Sequence, residues 1–312
     1  MDKRVVLGVA LAAFLWGAAA RRAQASFESP PVGAQAAAMG SSILAGRGDA
    51  AALFLNPAGV AGLERPEAYF MYNRFYVGLG GAGGAGQGFA SFGFPLKGGA
   101  FAVGYGDLQA FDLLQERFVG LAYARRWFDA FEAGITGKYL HHRFLIGSDP
   151  AASGDPVFSE GTARGAFALD AGVRASVAGP LTAGFVARNI NRPDVGLESE
   201  DRAPRELQAS LSYDAASWGL RTTADFLYRD AASGTLREKS VPGVGLEKTL
   251  ESGLVKFRLG ATLDQFSAGG GVQFERLGFE YAFILTRNLL ANNAGTHMIG
   301  IRYRFGSPPS AR

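Results

Sequence analysis

His141 and His142 stand side by side, with Asp149 and Asp155 in the stretch that follows. Imidazoles near carboxylates are the parts of a general base, and a secreted hydrolase would need them to converge on a water or a serine. Gly78-Leu79-Gly80-Gly81-Ala82-Gly83 fits the glycine pattern of a dinucleotide loop. That chemistry needs a preceding parallel strand, a following helix and an acidic residue about twenty positions on. The third group is the largest: Glu132, Lys138, Asp170, Arg174, Arg188, Arg221, Asp225, Lys256, Arg258, Glu275, Glu280, Arg302 and Arg304. Such charges could line a polar pathway or form a lattice of salt bridges. The elements that carry them decide between these uses.

Those elements alternate. Phe101, Val103 and Tyr105 share one parity against Ala100, Ala102 and Gly104. Phe167, Leu169, Ala171 and Val173 oppose Asp170, Gly172 and Arg174. Near the end, Ile299, Ile301, Tyr303 and Phe305 oppose Met298, Gly300, Arg302 and Arg304. A period of two means strands with one apolar and one polar face. About fourteen such segments run from 67–77 to 296–305, most near the ten residues a tilted strand needs to cross a bilayer.

The links between them sort by parity. Even-numbered links are tight, as at Leu96-Lys97-Gly98 and Ala178-Gly179-Pro180, whereas odd-numbered links are mostly long and polar; the link near Asp264 is the exception. Short turns at one end and long loops at the other are the pattern of outer-membrane barrels. A secreted β-sandwich also alternates, but it has no reason to sort its loops. The expected fold is therefore all-β: a closed transmembrane antiparallel barrel of about fourteen strands. Its apolar parity meets lipid, and the thirteen charged positions take the inward parity. The glycine loop then joins two strands rather than a strand and a helix, and the histidines fall at the outer end of a strand, in water. No enzyme activity and no cofactor are expected.

Composition agrees. There is no cysteine, so there is neither a disulfide framework nor a thiolate metal site, and three histidines are too scattered for a metal cluster. Forty-four glycines with 24 Phe and 10 Tyr suit a β protein. Residues 1–25 read as a signal peptide: Lys3 and Arg4, an apolar run to Ala20, then Ala23-Gln24-Ala25 as the cleavage site. A retained membrane helix is the alternative, though the run is short for a span of about 20 residues. Without residues 1–25 the 31 basic and 28 acidic residues become 27 of each, so the basic character gives no argument for nucleic acid.

Residues 26–65 are not strand-like. Asp49 is expected to cap a helix from Ala50 to Leu55, which Pro57 stops at Asn56. Leu53, Phe54 and Leu55 favour a plug, or hatch, in the barrel over a loose periplasmic arm. Residues 66–306 form the barrel and 307–312 a short tail.

Met39-Gly40, then Asp49, then Asn56-Pro57-Ala58-Gly59 resemble the N-terminal signature of the PorV/PorQ-like and FadL-like outer-membrane proteins. Arg188-Asn189 and the closing strands are similar too, so the resemblance covers nearly all of the chain after residue 25. It implies a fourteen-stranded barrel with an N-terminal hatch. FadL-like members take hydrophobic compounds across the outer membrane; PorV-like members serve secretion and surface attachment. This chain lacks the extended outer loops of the fatty-acid transporters. The expected function is passage of small hydrophobic molecules through a plugged barrel, and the alternative is a barrel that docks secreted or periplasmic proteins. Expected partners are outer-membrane lipid, the barrel-assembly machinery, and either a hydrophobic small molecule or such a protein.

Overall fold

Alternation in the sequence becomes the two faces of a continuous wall. The computed structural model describes Phe27 and residues 32–78, 84–128, 130–147, 154–230, 239–251, 253–287 and 294–306. The expected signal peptide, residues 79–83, Asp149 and the expected tail at 307–312 lie outside the described residues. The strands are β1 (Glu67–Phe75), β2 (Ala85–Leu96), β3 (Gly99–Ala110), β4 (Leu114–Trp127) and β5 (Phe131–Phe144). They continue as β6 (Ala163–Ala178), β7 (Leu181–Arg188), β8 (Glu206–Ala215), β9 (Leu220–Arg229) and β10 (Lys239–Thr249). The last four are β11 (Val255–Thr262), β12 (Gln265–Gln273), β13 (Leu277–Thr286) and β14 (Thr296–Arg304). Each strand pairs with its neighbours in sequence, and β14 pairs with β1 to close the barrel. The closing register runs from Glu67 opposite Arg304 to Arg74 opposite His297. Closure leaves no open edge, as a hydrocarbon surrounding requires.

The two faces separate by size and polarity. Phe70, Tyr72, Val103, Leu121, Phe257 and Ile299 are exposed on the outer face. The intervening Tyr69, Met71, Ala102, Ala122, Arg258 and Met298 are buried. At the short-turn end the outer aromatics touch in a row: Tyr303 to Phe305 at 4.8 Å, Phe305 to Phe92 at 5.9 Å, Phe94 to Phe101 at 5.9 Å, and Phe101 to Tyr123 at 4.8 Å between ring centroids. Aromatic girdles of this kind mark the membrane–water boundary of barrels.

Loop length follows parity with two exceptions rather than one. Besides Leu263-Asp264, the β3–β4 link shrinks to Phe111-Asp112-Leu113, because β3 continues to Ala110. Phe111 and Asp112 carry φ of 54° and 55°, the left-handed pair that matches the twist of a tight hairpin.

The segment before β1 lies inside this wall. It holds a helix at Ala34–Ala38, a second at Ala52–Leu55 and a 3-10 helix at Pro57–Gly62. Alanine favours helix, yet five residues cannot hold a helix alone. Packing supplies the rest: a Cβ at Gly269 of β12 would stand 2.7 Å from the Ala38 Cβ. The second helix starts at Ala52, not at the expected Ala50, and Asp49 is not its cap. Asp49 instead closes the turn just before the helix, and Glu67 of the wall takes the neighbouring free donor. Ala50 N–H donates to Glu67 Oε1 at 3.0 Å, and Ala51 N–H to Asp49 Oδ1 at 2.8 Å. Its end is as expected: Asn56 is extended, and Pro57 opens the 3-10 helix. Leu53 is fully buried between this segment and the wall, where truncation to Ala costs about 2–5 kcal/mol.

Candidate functional site

The charged inward positions converge on the hatch. Arg302 of β14 donates from Nη2 to Asp49 Oδ2, while its Nε lies 3.3 Å from Glu67 Oε1 and its Nη1 3.4 Å from Glu280 Oε1. Arg304 Nε donates to the second oxygen of Glu67 at 2.9 Å. Arg258 stands between Glu280, 3.9 Å away, and Glu247, 2.7 Å away. Glu247 then accepts from Gln35 Nε2 of the hatch at 3.3 Å, with Lys256 and Arg221 at its rim. The network leaves the hatch at Asp49, crosses β14, β13, β11 and β10, and returns at Gln35.

Further anchors lie across the barrel. Glu132 of β5 meets Arg47 of the hatch at 3.4 Å, with Arg126 at 2.9 Å and Arg174 at 3.8 Å. Arg188 of β7 donates to the Leu55 carbonyl at 2.8 Å, to Glu206 at 2.9 Å and to Gln208 at 2.8 Å. Asp225 accepts from Ile43 N–H at 3.2 Å. Lys138 pairs with Asp170 at 2.8 Å and donates to Asn189 at 2.9 Å. Breaking one partner of a buried pair of this kind costs about 3–5 kcal/mol, because the other charge stays behind unpaired.

Of the thirteen expected inward charges, Glu275 is misplaced. It sits exposed in the β12–β13 turn, beyond the end of β12 at Gln273, and its carbonyl, not its carboxylate, accepts from Arg65 at 2.5 Å. Glu67, Glu206 and Glu247 carry central roles that the sequence reading missed. The signal was there: each shares the parity of a small or polar inward neighbour.

The hatch motif is a set of close approaches. Gly40 has φ +65°, and a Cβ there would lie 2.6 Å from the Val244 carbonyl. Met39 is fully buried beside Gly245, where a Cβ would stand 2.6 Å from the Met39 carbonyl. Asn56 Oδ1 accepts from Ala58 N–H at 3.1 Å, and its Nδ2 donates to the Val173 carbonyl at 3.2 Å. Pro57 lies against Gly134, where a Cβ would come within 2.6 Å of it, and Gly59 against the Gly46 carbonyl, within 2.7 Å. The motif therefore joins the hatch to β10 through Met39 and Gly40, and to β5 and β6 through Asn56 and Pro57.

Hatch contacts differ around the ring. Toward β2, β3 and β4 they are mainly apolar: Phe54 meets Phe89 at 5.4 Å and Phe118 at 4.9 Å between centroids, and Leu53 packs where Gly104 and Gly120 leave room, while Phe27 N–H donates to Glu116 at 2.9 Å. On the long-loop side of the hatch lies a cavity of about 830 Å³, whose lining includes Phe54, Phe118, Leu140, Ile43, Arg188 and Asp225. Val195 and Ala203 of the β7–β8 loop are fully buried with Phe27, Leu140 and Ala168 beside it.

Among the described residues, the histidines and Asp155 do not converge. His142 is buried among the rings of Phe27 and Phe144, at 6.4 and 4.5 Å. Asp155 instead accepts from Val157 N–H at 2.9 Å in its own turn. Among the described residues no group of three His, Asp or Glu side chains is placed to hold a metal.

Residues 115–303 match the family described as type IX secretion system membrane protein PorP/SprF. The chain belongs to the PorP/SprF family. The match runs from β4 to β14. As a PorP/SprF member the chain is an outer-membrane barrel, and solved barrels share its fold. The CymD monoaromatic hydrocarbon channel superposes with a TM-score of 0.65 at 13% identity, covering 90% of this chain and 99% of that one. The Pseudomonas putida toluene transporter TodX gives 0.59 at 11%, covering 89% and 98%. A Pseudomonas aeruginosa FadL homologue gives 0.60 at 12%, covering 89% and 99%. No curated protein matches the chain. At these identities the hydrocarbon channels inform the PorP/SprF fold and not its cargo.

Proposed function

We propose that this barrel docks a secreted or periplasmic protein for type IX secretion, with its bore held shut by the hatch. The observation that carries the reading is the Asp49–Arg302 tie and the network around it. It fixes residues 33–63 to the wall from β5 round to β14. A continuous wall around a charge-filled, occupied interior suits a docking body better than a conduit. Kinship with the PorV/PorQ-like barrels, read from Met39-Gly40, Asp49 and Asn56 to Gly59, points the same way. In this reading residues 1–25 are a signal peptide cleaved near Ala25, residues 26–65 the plug, residues 66–306 the barrel and 307–312 a tail. Outer-membrane lipid and the barrel-assembly machinery are its general partners.

A specific observation favours passage of small hydrophobic molecules as the second reading. The hatch meets β2, β3 and β4 through mainly apolar contacts, below a cavity of about 830 Å³, and the hydrocarbon channels named above share the fold. Purification from native membranes separates the two. Mass spectrometry of the isolated barrel should find a stoichiometric protein and no acyl or aromatic ligand if docking is right. A bound apolar molecule without a protein partner would replace docking with passage.

A further inference from the structure

Asn73 and Gln87 face each other across β1 and β2, both fully buried on the inner face. All four of their amide nitrogen and oxygen atoms lack a hydrogen-bond partner, as does Ser91 Oγ on the same face of β2. Buried polar groups in folded proteins are almost always paired, and leaving them unpaired is costly. The surroundings explain why none of the described residues serves them. The register sets Met298 opposite Asn73 and Leu108 opposite Gln87, and Met71 and Phe89 follow on the same faces. Across β3, Glu116 stands opposite Leu108 and accepts from Phe27 N–H at 2.9 Å, and the closest inward charges on β1 and β14 are Glu67, six positions from Asn73, and Arg302, four positions from Met298. Glu67 and Arg302 are already committed to the Asp49 network.

We propose that Asn73 and Gln87 form a binding site for a small neutral molecule that has an apolar body and one hydroxyl or amide group. Two amides offer donors and acceptors together, which fits a group that both gives and takes a hydrogen bond. Charge is disfavoured, because the register neighbours Met298 and Leu108 are apolar and the inward Glu116 beyond Leu108 already accepts from Phe27 N–H. Space for the body lies one step outward: Phe75 and Ala85, two positions beyond the amide pair, and Leu108, opposite Gln87, all line the cavity above the hatch. The polar group would sit between the amides and the body would rest against Phe75 and Leu108. The site stands apart from the docking reading, since equilibrium binding needs neither a protein partner nor conduction.

The test compares benzyl alcohol with toluene, a probe of like shape lacking the hydroxyl. Ligand-observed NMR on the full chain in one detergent measures both, for the natural protein and for Asn73→Leu/Gln87→Leu, so that partitioning into micelles cancels. The double variant should lose about tenfold in affinity for benzyl alcohol, as for one hydrogen bond removed. Its toluene affinity should change by less than about twofold, because toluene has no hydrogen bond with the amides to lose. Equal benzyl alcohol binding by both proteins would overturn the proposal, and so would a parallel loss of toluene. If the double variant does not fold, Gln87→Met alone should still weaken the alcohol selectively, and no change there would equally overturn it.

Discussion

Arg302 of the last strand donates to Asp49 of the hatch, joining residues 253 positions apart. The pair is buried, and two more carboxylates, Glu67 and Glu280, share the guanidinium. Arg302→Met should therefore cost about 3–5 kcal/mol by leaving three acids without their common cation. Asp49→Ala should cost less, and the double variant less than the two together, with a coupling of about 1–3 kcal/mol. Heat-modifiable mobility on denaturing gels, followed against temperature, measures all three. Additive costs would show that the tie does not hold the hatch.

Gly260 of β11 tests how the hatch seats. A Cβ there would collide with the Gly40 backbone, whereas a Cβ at Gly88 would meet nothing within 4 Å. Gly260→Ala should strain or displace the hatch, at about 1–3 kcal/mol, and loosen the backbone around the already exposed Arg47 enough for trypsin to cut there. Gly88→Ala should behave as the natural protein. Equal digestion patterns would argue that the hatch is loosely placed.

The bore itself can be probed by removal. Deleting residues 33–63 takes away the hatch partners of Arg302, Glu132 and Arg188, but leaves their wall partners and the strand registers untouched. The barrel should still shift on heating, and single-channel conductance in planar bilayers should rise well above the natural level. Unchanged conductance would remove the plug from the account.

Facing can be checked by charge. Val103→Arg and Phe257→Arg, both on exposed outer positions, should each cost about 2–4 kcal/mol near the bilayer midplane and deplete the assembled form in membrane extracts. Lys256→Ala, at the rim of the Glu247 cluster, should assemble nearly normally. If all three assembled alike, the inside and outside would have been exchanged.

Most of the wall was legible because a strand writes its two faces into the sequence with period two. Strand number and the inward placement of Arg302, Arg258 and Lys138 follow from that. What parity cannot give is which inward groups meet. That depends on the register of strands far apart in sequence, as for Glu67 of β1 and Arg302 of β14. Glu275 failed for a simpler reason: strand ends are the least certain part of a periodic reading, and it falls just past one. The hatch was legible as non-strand, but not in its contacts. Its small residues have no period, and their positions are set by glycines on the opposing strands, such as Gly134, Gly172 and Gly245. Ala102 shows the same limit, since it faces inward yet packs within the apolar core shared with the hatch rather than open water.

The seam where β1 meets β14 sets an order of events. Tyr69 can find Arg302 across that seam only when residues 296–304 have arrived, so thirteen strands must wait with two raw edges. Whatever fills the bore has to be gathered in before the ring is joined, or else be threaded through a finished cylinder. Long-range pairing of this kind is slow and exposes sticky borders meanwhile. Loss of the final hairpin should thus be felt first as stalled biogenesis, ahead of any defect in the mature barrel.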